Sequence, residues 1–217
     1  MLFRSLMGRS DHLDRISEIA TDQGGYVTAA QAARMGVPHE RLPDLVRGGD
    51  LRRIRQGVYA TRGVPVDTME DTVAAWLSTE RGRYPWEHGD TPPSAVVSHR
   101  SAAAIWGLGT IIPGLPELTT QRSTRPGRGI RFHRVPLSGE DWRWWRPDTG
   151  PALPVTTPAR TIVDLLIDGE ELSYVERAIR EATATRLTSE SQLVEAARRR
   201  RTRNRGLIQT ITRLVAR

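Results

Sequence analysis

Glycine and proline interrupt residues 24–60 so often that this stretch has room only for short elements. Gly36-Val37-Pro38 ends an alanine-rich segment, and Gly48-Gly49 ends the segment that follows. Gln56-Gly57 then divides a run of apolar and basic residues, as a tight turn between two strands does. The spacing predicts two brief helices followed by a two-stranded hairpin.

Local signals place the two helices. Thr28 and Gln31 have the spacing of a capping box, in which the Thr hydroxyl accepts from an orphan amide and the Gln side chain reaches back. One helix is expected over residues 29–35 and a second over residues 39–47. Because Pro43 lacks a backbone donor, the second helix either begins at the residue before it or is kinked. Two short helices, a glycine-bearing turn and a basic hairpin are the parts of a winged helix-turn-helix.

Such a module reads duplex DNA with its second helix and its hairpin. The helix fits the major groove, and arginines of the hairpin neutralise phosphates and release counterions. His39, Arg41 and Arg47 are expected nearest the bases, and the hairpin arginines at phosphates. The alternative is a small helical domain that contacts protein, with its arginines solvated. The residues expected to bind DNA are Thr28, His39, Arg41, Arg47, Arg52, Arg53, Arg55 and Gln56.

Composition narrows the class of protein. The chain has 217 residues, 38% of them hydrophobic, which suits an ordinary domain plus a small one. It contains no cysteine and no lysine, so it lacks the lysine of Walker A loops, kinases, pyridoxal-phosphate enzymes and PD-(D/E)xK nucleases. No apolar run reaches the length of a membrane span and no signal peptide is evident, so a cytoplasmic location without membrane contact is expected.

Positive charge is concentrated at the C-terminal end. The net charge is +7, and residues 198–217 hold eight arginines and no acid. A solvated loop, a contact for an acidic protein and a phosphate-binding patch are three interpretations of this arginine run. The candidates to bind a partner here are Arg198, Arg199, Arg200 and Arg201.

Three tryptophans form another candidate surface. Alternation favours Trp142 and Trp144 as the buried face of a strand over a stacking platform for single-stranded nucleic acid. Trp145 points to the other face of such a strand, so it is a candidate anchor for a protein partner.

No catalytic or metal-binding pattern is evident. Thr157 is placed to cap a helix, and Arg160 and Asp164 are spaced to form an i,i+4 ion pair, so these three residues read as structural. We therefore expect no catalytic site, no metal site and no cofactor. The five histidines, which lack metal-ligand spacing, are His12, His39, His88, His99 and His133.

The remaining chain alternates short strands with helices and ends in helices. The expected fold class is α+β, with an N-terminal winged helix-turn-helix over residues 1–63 and a mixed α/β C-terminal domain over residues 64–217. Residues 81–94 are expected to form a surface loop, rich in proline and glycine. Further expected features are strands at Ala95–Val97, Glu117–Thr120 and Ile130–Val135, a Ser98 helix cap, and capping boxes at Ser173–Glu176 and Ser189–Gln192.

Three segments together resemble a known family. They are VTAAQAARMGVPHERLPDLVRGGDLRRIRQGVYA, AVVSHRSAAAIWGL and LPVTTPARTIVDLL. This set is similar to the AbiEi-family antitoxins, regulators of bacterial type IV toxin–antitoxin systems, over about residues 10–200. Pro43 departs from the polar residues usual in the family's reading helix.

The resemblance implies a winged helix that represses its own operon by binding promoter DNA. It also implies a C-terminal domain that opposes a nucleotidyltransferase-like toxin encoded next door. The main alternative is a transcription factor whose C-terminal domain senses a small ligand, which predicts an apolar pocket in residues 65–217. A nuclease remnant is a second alternative, and the absence of lysine argues against it.

Overall fold

A computed structural model describes residues 8–80, 82–89, 93–121, 129–148, 150–200 and 206–215. Within these ranges the chain forms two compact units, and the fold is α+β, as expected. The first unit takes residues up to Pro93 together with Arg146–Leu153, and the second takes Ser94–Trp145 and the chain from Pro154 onward. The compact first unit thus extends past residue 63. Division into a DNA-binding and a toxin-neutralising domain stays a prediction.

The first unit begins with the expected winged helix-turn-helix. A supporting helix, α1 (Arg9–Asp22), is followed by strand β1 (Tyr26–Thr28) and helix α2 (Ala29–Arg34). Helix α3 (Leu42–Arg47) leads into strands β2 (Leu51–Arg55) and β3 (Val58–Thr61). The strands form an antiparallel sheet in the order β1-β3-β2. The core under the helices contains Ile16, Val27, Leu42, Leu45, Leu51 and Tyr59, all buried.

The helix expected over residues 39–47 is two elements. His39–Arg41 form a single 3-10 turn, and the α-helix begins at Leu42 with Pro43 in its first turn. The missing proline donor costs nothing there, because the first amides of a helix have no intrahelical acceptor. Pro43 therefore shortens the helix to six residues rather than kinking it.

The first unit continues beyond the wing. Helix α4 (Glu70–Thr79) packs on the three-stranded sheet with Trp76 fully buried. Residues 82–89, expected as a surface loop, bury Tyr84 and His88 instead. Tyr84 joins the core of the winged helix, and that apolar contact explains the difference. Residues 81 and 90–92 of the predicted loop lie outside the described residues.

The return of residues 146–153 to the first unit depends on a glycine contact. Gly24 has φ +62°, and a Cβ built on it would lie 2.3 Å from the Gly150 Cα atom. No side chain fits between two backbones this close. Glycine is therefore required at this position for two reasons: it adopts the left-handed backbone conformation without strain, and it leaves room for the second backbone.

The second unit contains a five-stranded mixed sheet. Its strands are β4 (Val96–Val97), β5 (Glu117–Thr120), β6 (Arg131–Arg134), β7 (Trp142–Trp145) and β8 (Leu153–Thr156), in the order β6-β5-β4-β8-β7. Strand β4 is antiparallel to β5 and parallel to β8, and β5 is parallel to β6. The strands expected from the sequence are confirmed; residues 122–128 of the intervening turn lie outside the described residues.

Five helices supply the core of the second unit. They are α5 (His99–Trp106), α6 (Pro158–Ile167), α7 (Leu172–Ala184), α8 (Glu190–Arg200) and α9 (Leu207–Val215). Helix α6 contacts α5, α7 and α8, and α9 packs on α7 and α8. None of the helices in the described part of the chain has the length and apolar character needed to span a bilayer.

The predicted helix caps of this unit fall into two groups. The Thr157 hydroxyl accepts from the Arg160 amide, and Ser189 and Gln192 form the expected reciprocal box. Ser98 takes the predicted N-cap position of α5, but its hydroxyl bonds to other side chains and not to a backbone amide. The capping box at Ser173 is wrong, because α7 begins at Leu172, two residues earlier than the box predicts, and the Ser173 hydroxyl donates to the Glu171 carboxylate.

Five charged side chains form an alternating network inside the second unit. Arg160 is fully buried; its Nε lies 2.8 Å from the Asp164 carboxylate and its Nη1 lies 3.0 Å from that of Asp141. Arg200 donates to the other oxygen of Asp164 at 2.7 Å, and Arg199 to the other oxygen of Asp141 at 3.0 Å. The network joins α6, the segment before β7 and the end of α8.

Asp141 is the member of the network that links distant segments. Burial alone would raise the pKa of its carboxyl, but hydrogen bonds from the Ser138 amide and from Arg199, together with the charge of Arg160, hold that pKa below its ordinary value of 3.8. The carboxylate form is thus favoured in the folded state.

Replacing Asp141 by Asn leaves the Arg160 guanidinium buried without its second counter-charge. We expect Asp141→Asn to lower the unfolding free energy of the second unit by about 3–5 kcal/mol at neutral pH. The exposed pair Glu195–Arg198 provides the matched control, and Glu195→Gln should cost less than about 1 kcal/mol. Urea denaturation followed by tryptophan fluorescence measures both.

The difference between wild type and Asp141→Asn should depend on pH. Because the pKa of Asp141 is lower in the folded than in the unfolded state, its contribution is present above the ordinary value of 3.8 and is lost as the pH falls through the lowered value. Equal losses for Asp141→Asn and Glu195→Gln would contradict the role given to the network.

Candidate nucleic-acid and partner-binding sites

The exposed face of the second helix carries the side chains expected near DNA bases. His39 lies in the 3-10 turn, Arg41 precedes α3, and Arg47 ends it with 76% of its side chain exposed. Asp44 lies between the two arginines, pairing with Arg47 and standing 3.8 Å from Arg41. Such surface pairs are weak and break readily when a phosphate or base edge competes. The structure therefore brings His39, Arg41 and Arg47 onto one short exposed segment.

The wing arginines differ from one another in their surroundings. Both terminal nitrogens of Arg52 donate to Glu70 on α4, at 2.6 and 2.5 Å, and this bond keeps the pKa of Arg52 above its ordinary value. Arg53 is exposed and Arg55 is half-buried. Gln56 is exposed at the turn, where Gly57 adopts φ +75°. Arg52 is thus engaged within the fold, whereas Arg53 and Gln56 face solvent.

The Thr28 side chain is buried and caps helix α2. The residue is 5% exposed, and its hydroxyl accepts from the Gln31 amide at 3.1 Å. The Gln31 side chain returns the bond to the Thr28 amide at 2.8 Å, which confirms the capping box. Gln31 also exchanges side-chain bonds with the buried Gln23 and donates to the Arg83 carbonyl. We therefore leave Thr28 out of the proposed DNA-contacting set.

The C-terminal arginine run is only partly available to a partner. Arg199 and Arg200 belong to the buried network, and the side chain of each is no more than 24% exposed. Arg198 is 64% exposed and pairs with Glu195, a residue on the same helix. Arg201 lies outside the described residues. Of the arginines that the structure describes here, Arg198 has the most exposed side chain.

The tryptophans lie on an edge strand. Trp142 and Trp144 contact each other edge to face, with ring centroids 6.1 Å apart, and both are half-buried. Trp145 is also half-buried, and its position in the strand places it on the face opposite to that of Trp144. Neighbouring Arg143 extends over the ring of Trp106 at 4.5 Å. Trp145 keeps partial exposure at a sheet edge, which suits an anchoring residue.

A cleft of about 760 Å³ opens in the second unit beside these residues. The cleft is lined in part by acidic and basic side chains, among them Glu140, Arg143, Glu195 and Arg198. The ligand-sensing alternative predicts an apolar pocket in this part of the chain, and this cleft is lined by apolar as well as charged residues. Its open, mixed-charge lining is typical of the rim of a protein interface.

Three donors that sequence spacing did not connect lie together on the second unit. His99, Glu117 and His133 place one ligand-type atom each within 4.8 Å of the others. The His99 and His133 rings stack at 3.4 Å, and burial followed by the charge of His133 lowers the pKa of His99 to about 3. Eighteen and sixteen residues separate these donors in the chain, so no local motif could indicate them; the pairing of β5 with β6 creates the cluster.

The first unit contains a winged helix, built from α1–α3 and the sheet β1-β3-β2. Residues 14–62 match the family model AbiEi_4, described as "Transcriptional regulator, AbiEi antitoxin". Over these residues the chain is similar to the AbiEi antitoxins, which confirms the resemblance. The motifs beyond residue 62 lie outside this match.

One solved structure extends the comparison to most of the chain. The crystal structure of the RV2827C protein from Mycobacterium tuberculosis matches with a TM-score of 0.54 and 17% identity. The match covers 94% of this chain and 76% of that protein. At this identity the likeness shows the fold alone. No curated protein matches the chain.

Removing the Thr28 hydroxyl tests its structural role. We expect Thr28→Ala to destabilise the first unit by about 1 kcal/mol, the usual cost of losing a helix cap, and to leave DNA affinity unchanged at temperatures where the protein is folded. Thr21→Ala is the control, since Thr21 is exposed and bonds only to a backbone carbonyl of its own helix. Thermal denaturation measures the change in stability, and fluorescence anisotropy on promoter DNA measures the change in affinity. A loss of DNA affinity without a loss of stability would show that Thr28 contacts DNA.

Proposed function

We propose that this protein is a DNA-binding antitoxin, a regulator that represses its own operon through the first unit and opposes a nucleotidyltransferase-like toxin through the second. The observation that carries the proposal is the exposed segment of His39, Arg41 and Arg47 on a winged helix, in the region that matches the AbiEi_4 regulators. The protein acts by binding, without catalysis of its own.

DNA binding is assigned to two parts of the first unit with different tasks. Helix α3 and the turn before it enter the major groove, where Arg41 and Arg47 can donate to base edges. The wing places Arg53, Arg55 and Gln56 at the phosphate backbone, which positions the protein without reading sequence. Arg52 acts indirectly, since its bond to Glu70 holds the wing against α4.

The two wing arginines provide a matched pair for testing the phosphate contact. Arg53→Ala should weaken binding to operator and scrambled DNA alike and reduce the slope of log K against log salt by about 1. Arg52→Ala should change that slope less, because Glu70 already balances its charge. Fluorescence anisotropy with DNA from immediately upstream of the gene, between about 50 and 200 mM salt, measures both variants.

Replacement of Arg47 separates sequence reading from general attraction. Arg47→Ala should weaken operator binding by about 1–3 kcal/mol, or roughly fivefold to 150-fold, and change scrambled-DNA binding far less. Equal losses on both DNAs would show that Arg47 meets phosphate, and unchanged binding on both would remove α3 from the interface.

Toxin binding is assigned to the exposed rim around the cleft of the second unit. Trp145 supplies a half-buried aromatic anchor and Arg198 an exposed cation, the residue types enriched at binding hot spots. Arg199 and Arg200 are excluded because their charges are satisfied inside the fold.

Purified toxin from the adjacent gene tests this assignment. Arg198→Glu and Trp145→Ala should each weaken the complex at least tenfold in calorimetry, whereas Arg180→Glu, which alters an exposed arginine on α7, should not. Circular dichroism checks that each variant is folded. Wild-type affinity in both rim variants would contradict this surface while leaving the DNA-binding assignment intact.

A further inference from the structure

We propose that His99, Glu117 and His133 form a binding site for a divalent transition-metal ion of the Zn²⁺ type. Two imidazole nitrogens and one carboxylate oxygen are a donor set that Zn²⁺ accepts. The site is independent of the proposed DNA and toxin contacts, since none of its three residues belongs to either surface.

Strand pairing brings two of the donors together. Strands β5 and β6 run parallel with Glu117 opposite Arg131 and Thr119 opposite His133. Glu117 and His133 therefore lie on one face of the sheet, two residues apart in register, and the His133 Nε2 atom lies 2.7 Å from Glu117 Oε2. This arrangement places a nitrogen and an oxygen ligand side by side.

The start of α5 supplies the third donor. The Ser98 amide donates to the Glu117 carbonyl at 3.0 Å, which anchors the helix start beside β5. His99 follows with φ +51°, a left-handed conformation that few non-glycine residues adopt. Such a conformation is costly and is found most often at functional sites. Here it accompanies the stacking of the His99 ring on that of His133.

The separations of the three ligand atoms are close to those found around one metal ion. Ligand atoms held about 2.1 Å from one ion are about 3.0–3.4 Å from each other in octahedral or tetrahedral geometry. The present separations range from 2.7 Å, between His133 and Glu117, to at most 4.8 Å. The His99 and His133 rings, now stacked with 12° between their planes, must tilt apart so that both nitrogens face one ion.

Neighbouring groups orient the ligands as they do in known metal sites. His99 Nδ1 lies 2.9 Å from the Ser98 hydroxyl, which in turn accepts from the Thr119 hydroxyl at 2.9 Å. Nδ1 can thus hold its proton against Ser98, leaving Nε2 with the lone pair that a metal needs. Arg131 stands 3.9 Å from Glu117 Oε1, the oxygen that does not face His133.

Three protein ligands leave one coordination position open. Structural zinc sites have four protein ligands, whereas sites with three keep a place for water or another ligand. The His133 side chain retains 12% exposure while that of Glu117 has 4%. Solvent therefore reaches the site past His133, and the ion should be exchangeable with chelators.

Competition between the full-length protein and a chromophoric chelator for Zn²⁺ tests the proposal. Wild type should bind one ion per chain, and His99→Ala, Glu117→Gln and His133→Ala should each abolish this stoichiometric binding. His39→Ala, which removes an exposed histidine elsewhere, should retain it. Ser98→Ala should weaken binding about tenfold to a hundredfold by freeing the His99 ring.

A thermal readout keeps the test valid if a buried variant folds poorly. Zn²⁺ should raise the melting temperature of wild type and of His39→Ala, and should leave that of His133→Gln unchanged, since this residue lies on the edge strand β6. The proposal is overturned if wild type binds no stoichiometric ion, or if His133→Ala binds as well as His39→Ala; the cluster would then be a histidine–glutamate ion pair.

Discussion

A fully buried guanidinium at Arg160 sets the conditions for the rest of the second unit. Its charge cannot be hydrated, so the fold must supply carboxylates at hydrogen-bond distance. One of them, Asp164, comes from the same helix, but Asp141 comes from the segment before β7. Each carboxylate also meets an arginine from the end of α8. The network fixes three separate segments in one arrangement.

The same pairing decides which arginines are free to bind another molecule. The sequence contains 32 basic residues, each a possible contact for an anionic partner. In the fold, however, Arg52, Arg199 and Arg200 already pair with acidic side chains. The cations left at the surface are fewer and lie on particular elements, such as Arg53 on the wing and Arg198 on α8. Local charge counts from sequence therefore overstate the interface.

Sequence patterns predicted the elements whose signals are local. The capping box at Thr28 and Gln31, the turn at Gln56-Gly57 and the i,i+4 pair of Arg160 and Asp164 are confirmed because neighbouring residues decide each of them. Strand β1 was missed, since three residues carry too little periodicity to be recognised.

Features that depend on distant partners were not predictable in this way. Ser98 looks like a helix cap, but Thr119 and His99 compete for its hydroxyl, and neither competitor could be placed without the sheet. The burial of Tyr84 and the meeting of His99 with Glu117 and His133 have the same origin. The proposed DNA contacts follow from a local motif, whereas the proposed metal site depends on strand register.

The close approach of Gly24 to Gly150 has a consequence for synthesis on the ribosome. Residues 146–153 complete the first unit, although they follow the whole segment 94–145 that belongs to the second. At about 5–20 residues per second, translation from residue 93 to residue 153 takes on the order of several seconds. The first unit is therefore completed only after four of the five strands of the other unit have been synthesised.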